Sequence, residues 1–187
     1  MKTPKQLVRE KIEHSFISKK IIRSQLIKGA TGVLHIGAHR GQELSYYSSR
    51  DKNVVWVEAI PALASELEDM VKSNAKHRVI CALLGDRNED EVPFRLASND
   101  LSSSSVFPFG KDLGYFSTEL STATTINLPM FRLDTLLSQS EASSHSHWVV
   151  DIQGAELLAL KGAGNLIREC NSLEIEVSSI EHYEGGV

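Results

Sequence analysis

The residues best suited to chemistry form a short stretch, Gly37-Ala38-His39-Arg40-Gly41, directly after the apolar run Val33-Leu34-His35-Ile36. Glycine lets a backbone turn tightly and approach a ligand closely, so Gly37 and Gly41 mark a binding turn. Glu58 ends the next apolar run, 21 residues after Gly37. A carboxylate at that place can accept hydrogen bonds from the two hydroxyls of a ribose. Strand, glycine turn, helix and acid in this order describe the seat of an adenosine-type ligand and leave its class open.

The side chains of the turn narrow that class. A dinucleotide fingerprint has glycine at its first, third and sixth positions, so that the backbone can hug a pyrophosphate. Here those positions hold Gly37, His39 and Gln42. A side chain as large as His39 crowds a diphosphate, and a ligand without phosphate fits better; S-adenosylmethionine is one. The competing readings are a nicotinamide-dependent oxidoreductase and a non-catalytic module that binds a nucleoside cofactor. His145 and His147 stand two apart in a polar loop with no third ligand nearby. No structural zinc site is expected from them, and no metal is called for.

The elements that must position these residues follow from hydrophobic periodicity. Val33–Ile36 predicts a first strand, Gln42–Ser49 a helix, and Asn53–Glu58 a second strand. Pro61 opens a helix whose inner face is expected to hold Leu63, Leu67, Met70 and Val71. Arg78–Leu84 predicts a third strand, closed by Gly85-Asp86. Short apolar strands alternating with amphipathic helices indicate a parallel sheet covered on both faces. Glu91–Leu96 and Thr125–Leu133 look extended, but Pro93 and Pro129 place them at an edge or outside the main sheet. They flank a Ser-rich loop, Ser98–Ser105. Asp134 is expected to cap a short helix over Thr135–Ser138. Ser138–His147 reads as an exposed polar loop, Trp148–Asp151 as a fourth strand, Glu156–Lys161 as a helix and Leu173–Val177 as a fifth strand. The fold class is therefore α/β, a mostly parallel doubly wound sheet.

Composition bounds the rest. The chain has 187 residues, enough for one domain with one core. Its net charge of −4 argues against general nucleic-acid affinity, which needs many phosphate-neutralising cations. No apolar run is long enough for a transmembrane segment, and no secretory leader is present. Cys81 and Cys170 sit in apolar segments and read as two buried thiols of a reduced, cytoplasmic protein. Residues 1–30 form a basic helical segment, with Lys2, Lys5, Arg9, Lys11, Lys19, Lys20, Arg23 and Lys28 against Glu10 and Glu13. Val8, Ile12 and Phe16 recur on one face of it. That face packs on the following domain or, as an alternative, the segment touches an anionic or membrane surface. Residues 31–187 are expected to form the α/β domain. Nothing in the sequence sets an oligomeric state.

Longer segments carry a family resemblance. They are Leu34-His35-Ile36-Gly37-Ala38-His39-Arg40-Gly41-Gln42-Glu43, Val57-Glu58-Ala59-Ile60-Pro61, Ala82-Leu83-Leu84-Gly85-Asp86, Ser102–Ser105 and Phe131-Arg132-Leu133-Asp134-Thr135-Leu136. The most specific is Val150-Asp151-Ile152-Gln153-Gly154-Ala155-Glu156-Leu157-Leu158-Ala159-Leu160-Lys161-Gly162-Ala163. In this order they resemble the FkbM family of S-adenosylmethionine-dependent methyltransferases. The resemblance implies a Rossmann-like class I methyltransferase fold and methyl transfer to a hydroxyl oxygen, with a small-molecule acceptor such as a saccharide. It also implies roles by position. Gly37, Ala38, His39 and Gly41 would line the methionine end of the cofactor, Glu58 and Ala59 the ribose, Leu83 and Leu84 the adenine. Asp151 would face the reacting centre. His35 and His39 stand where many members carry an acid and an asparagine. Such folds continue past the fifth strand with an antiparallel pair, whereas this sequence ends at Val187. The expectation is a C-terminally incomplete domain, or a sheet completed in another way.

Methyl transfer to a hydroxyl needs a base near the acceptor. Asp151 lies at a strand tip, where ligands of such sheets bind. Glu176 is a second candidate, on one face of the fifth strand with Glu174 and opposite Ile175 and Val177. His182 is a third, since imidazole titrates near neutrality. Glu156 either joins them or caps its own helix. The Ser98–Phe109 loop and the 110–130 stretch are expected to shape the acceptor pocket.

Overall fold

The computed structural model describes residues 21–110, 122–178 and 181–186. The amphipathic leader with Val8, Ile12 and Phe16, and much of the 110–130 stretch, lie outside the described residues. Residues 21–29 are helical (α1). There follow β1 (Val33–Ile36), α2 (Leu44–Ser48), β2 (Val54–Glu58), α3 (Pro61–Val71), β3 (His77–Cys81) and β4 (Leu83–Leu84). Next come β5 (Glu89–Ala97), β6 (Thr122–Phe131), α4 (Leu133–Leu136), α5 (Gln139–Ser143) and β7 (His147–Val150). The last elements are α6 (Glu156–Gly162), a 3₁₀ turn at Gly164–Glu169, and β8 (Ser172–Ile175).

Five strands form one sheet in the order β3-β2-β1-β7-β8, and every adjacent pair is parallel. All four residues of β1 are buried, as a central strand covered on both faces requires. The side chains alternate between two cores. Leu34, Ile36, Val55, Val57, Trp148 and Val150 meet α4, α5 and α6 on one face. Val33, Val54, Trp56 and Val149 meet α1, α2 and α3 on the other. The sheet is thus doubly wound. The chain runs from β1 outward to β3, then returns on the opposite side of β1 as β7 and β8. The strand order therefore reverses between β1 and β7, the crevice where such sheets bind ligands.

The prolines kept β5 and β6 out of this sheet, as expected. They form an antiparallel pair, and β4 joins the end of β6 to make a second, three-stranded sheet. Pro129 lies on the central strand of that sheet, opposite a register shift between Glu89 and Val92. A missing N–H is tolerated at such an irregularity. The single strand expected over Arg78–Leu84 is instead two. The amide of Ala82 still bonds to Glu58 O at 2.9 Å, but Gly85 N–H already bonds to Phe131 O at 2.9 Å. The chain changes sheets between them.

Other expectations shift locally. Met70 is 48% exposed, because the buried stripe of α3 runs through Leu63, Ala64, Leu67 and Val71. Asp134 sits inside the first turn of α4 rather than before it, paired with Arg132. The expected loop at Ser138–His147 contains α5, held by a capping box in which Ser138 and Glu141 exchange side-chain-to-backbone bonds. Ala142 of that helix is fully buried. β8 stops at Ile175, so Val177 does not share a buried face and is 72% exposed. Cys81 is exposed and Cys170 half-buried, contrary to the expected pair of buried thiols; both are free. Among the described residues no helix is long and apolar enough to cross a membrane.

Candidate functional site

At the carboxyl ends of β1 and β7 two turns press together. The Asp151 amide donates to Ile36 O at 3.0 Å, and a Cβ on Gly37 would stand 1.8 Å from Asp151 O. Gly37 also has φ +85°, a region that side chains disfavour. Only glycine meets both demands. Gly41 has φ +67° and sits against Leu67, facing the core rather than the crevice.

The turn consumes its own amides. Gly37 and Ala38 N–H both donate to Val57 O at 2.9 and 3.1 Å, and Gly41 N–H to Ala38 O at 2.8 Å. His39 N–H donates to Glu58 Oε2 at 2.7 Å, and Ile60 N–H to Glu58 Oε1 at 2.8 Å. Glu58 therefore closes the turn as well as facing the crevice. The Ala59 amide also bonds to this carboxylate, and of its roughly four acceptor positions one is left for a further donor. Burial pushes the Glu58 carboxyl up from its ordinary range, against the opposing pull of these amides.

A cavity of about 380 Å³ opens beside the turn. Gly37, His39, Glu58, Ala59, Leu83, Leu84 and Asp151, all named from the sequence, line it. Ala38 and Gly41 do not; Ala38 packs in the core under α2 and α3. Ile60, Phe94 and Gln153, not named as site residues from the sequence, also line the cavity, as does Leu101 of the Ser98–Phe109 loop expected to shape a pocket. Phe94 belongs to the second sheet, whose place over the crevice no local pattern encodes. Leu101 comes from the Ser-rich loop, which Arg40 pins by hydrogen bonding to Asp100 at 3.0 Å. The His39 ring, accepting from Gln42 Nε2 at 3.0 Å, directs its other nitrogen to Asp100 O at 2.9 Å. Asp100 and Leu101 both adopt positive φ.

The second turn supplies acids. Asp151 is exposed at the tip of β7. Glu156 is buried, and its Oε1 accepts from Ile152 N–H at 2.9 Å and Gly154 N–H at 3.2 Å. It holds the turn and also lines the smaller of two cavities here. Glu176 lines a smaller cavity of about 190 Å³ with His182, Tyr183 and Ser103. Gln153 lines both cavities. Burial, the Asp151 charge and a hydrogen bond to Asp151 raise the Glu176 carboxyl. Glu174 lies elsewhere, paired with Arg23 at 2.9 Å. Residues 181–186 close the smaller cavity by pairing with the preceding loop: Gly110 N–H donates to His182 O at 2.7 Å and Glu184 N–H to Pro108 O at 2.9 Å.

His35 and His147 are tied into the core, His35 also lining the larger cavity. His35 lies against Trp56, bonds to the Tyr47 hydroxyl at 3.0 Å and is pushed by burial down to about 3. His147 bonds to Ser172 Oγ at 2.7 Å and is pushed down to about 4, also by burial. Among the described residues no cluster of three metal-ligating side chains exists.

Comparison with known proteins now bears on this site. A family model described as Methyltransferase FkbM domain matches residues 35–187, a span that includes both turns, Glu58 and the 181–186 segment. No curated protein and no solved structure matches the chain.

Proposed function

Given that the chain belongs to the FkbM methyltransferase family, we propose that it takes its methyl group from S-adenosylmethionine and delivers it to a hydroxyl oxygen of a small acceptor, with saccharides the first candidates. The observation that carries this reading is the switch-point cavity with Glu58 in its wall and the Gly37, Ala38, His39 and Gly41 amides already engaged. A diol has a carboxylate to bond to. A pyrophosphate would meet Gly37, Ala38, His39 and Gly41 amides that are already engaged, which disfavours a dinucleotide.

The residues present suit S-adenosylmethionine. Glu58 and Ala59 would hold the ribose, Leu83 and Leu84 with Ile60 the adenine, and the Gly37–Gly41 turn with His39 the methionine end. Bound there, the cofactor supplies an electrophilic methyl group on a sulfonium. Asp151 lines that cavity and Glu176 the smaller one, with Gln153 lining both, so an acceptor bridging the two cavities would meet both carboxyl groups. Alignment in such a junction contributes up to ~7–11 kcal/mol. A carboxylate that takes the hydroxyl proton contributes ~10²–10⁴-fold. Asp151 and Glu176 are the candidate bases, with His182 beside them.

Thermal unfolding with S-adenosylhomocysteine, S-adenosylmethionine and NAD tests this reading. At about 100 times its Kd a ligand stabilises by ~2.7 kcal/mol, which for a chain of this size is a rise of roughly 5–10 °C. The expected result is that rise with both sulfur ligands and none with NAD. No response to the sulfur ligands refutes the cofactor assignment. Transfer of labelled methyl to a panel of polyols and sugars then tests the acceptor class.

A further inference from the structure

Among the described residues Gln153 is the one side chain common to both cavities, and both polar atoms of that side chain are engaged. Its Nε2 donates to Asp151 Oδ1 at 2.6 Å and reaches Glu176 Oε2 at 3.4 Å. Its Oε1 accepts the Tyr183 hydroxyl proton at 2.8 Å, and its backbone carbonyl accepts Ser105 Oγ–H at 2.7 Å. The residue adopts φ +58°, a strained conformation for a side chain that is not glycine. The amide orientation is dictated by its neighbours. Carboxylates can only accept, so the NH₂ group must face Asp151 and Glu176, which leaves the oxygen for Tyr183. Tyr183 therefore donates, its one hydroxyl proton shared between Gln153 Oε1 at 2.8 Å and Ser103 O at 3.2 Å.

We propose that Gln153, oriented by Tyr183, is a positioning residue that holds the Asp151 and Glu176 carboxyl groups side by side at the junction of the two cavities. This rests on the reading that Asp151 faces the reacting centre. Two acids so close repel unless donors are shared between them; beside the hydrogen bond between the two carboxyl groups, the Gln153 amide supplies another. The titratable groups around the pair are Glu156 from the same turn, and Tyr183, Glu181 and His182 from the closing segment. Among the described residues lining either cavity none is Lys or Arg. The neutral amide thus does what a cation does elsewhere, without drawing a proton-accepting carboxylate into an ion pair. Burial holds the Tyr183 hydroxyl up at about 12, in keeping with a proton that stays on the tyrosine.

The test is a carboxyl ¹³C NMR titration of the full chain, comparing wild type with Gln153→Leu and Tyr183→Phe. Removal of the amide donor is expected to raise the Glu176 midpoint by about one pH unit. Tyr183→Phe frees the amide to rotate and is expected to give a smaller rise in the same direction. Glu58, outside this network, stays put and serves as the internal reference. An unmoved Glu176 midpoint in a folded Gln153→Leu protein overturns the proposal. Should that variant fail to fold, an unmoved Glu176 midpoint in Tyr183→Phe, which keeps the ring, overturns it equally. The titration needs no cofactor, so a failed cofactor assignment shows separately, as absent stabilisation of wild type by S-adenosylhomocysteine.

Discussion

Replacing Glu58 by glutamine separates two tasks that one carboxylate performs. In the wild type its two oxygens each accept a backbone amide, from His39 at 2.7 Å and Ile60 at 2.8 Å. Glutamine retains one acceptor oxygen, and its NH₂ group confronts the other amide, donor against donor. Leaving one buried N–H unpaired costs about 1–3 kcal/mol. Relief of the desolvation that raises this carboxyl offsets part of the loss. A net destabilisation of about 2 kcal/mol is expected, or roughly 4–8 °C for a chain of this size. Ligand binding probes the second task. Loss of a charged acceptor for the ribose is worth about 1.5–3 kcal/mol, so the Kd for S-adenosylhomocysteine should rise roughly 10- to 100-fold. Thermal unfolding without ligand and calorimetric titration with it measure the two effects independently. A Glu58→Gln protein that melts within about 1 °C of wild type would falsify the backbone role. Undiminished affinity in the same protein refutes the ribose assignment.

Acidification should destabilise the fold through its buried histidines. The unfolded chain binds protons on His35 and His147 from their ordinary value of 6.5 downward, whereas the folded chain resists until about 3 and about 4. A base whose folded pKa is lowered loses stability as pH falls, by about 1.4 kcal/mol per histidine between roughly pH 7.5 and 5.5. Denaturant midpoints at those two pH values measure it, and His35→Phe should remove about half of the decline; an undiminished slope rejects the assignment to His35. At Gly37 even alanine should be ruinous, since its Cβ would lie 1.8 Å from Asp151 O at φ +85°. A loss of about 3 kcal/mol or more is expected, and a wild-type urea midpoint for Gly37→Ala contradicts the contact between the two turns.

How much was legible in the sequence depended on whether a feature is local. β1 and β2 appear as continuous apolar runs because both faces of each strand are buried. Gly37 and Glu58 are visible for the same reason: a turn and a strand end lie next to their own signals. Arg78–Leu84 looks like one strand since an apolar run does not say which sheet it pairs with, and the switch at Ala82 is decided by partners on β2 and β6. α5 carries its own start signal, Ser138 followed three residues later by Glu141, yet a Ser- and His-rich composition outweighed it. Gln153 was invisible as a site residue. Its meaning comes from Tyr183, 30 residues away, and from a backbone angle that no residue type announces. Glu58 was located, but that its oxygens first serve the turn could not be read from one position.

The two sheets divide the molecule into a frame and a wall. The parallel frame supplies Gly37, Glu58 and Asp151, which touch one another or share a turn, so a change in any one displaces the rest. The wall contributes Phe94 and, through the loop after β5, Leu101, Ser102 and Ser104. These side chains reach into the cavity from a hairpin whose Val92, Phe94, Leu128 and Met130 share one core with Ile60 and Leu63 of the frame. A library confined to the cavity-lining positions 101, 102, 104 and 106 would explore new ligands while leaving that shared core, the Arg40–Asp100 pair and the Ser105–Gln153 bond in place.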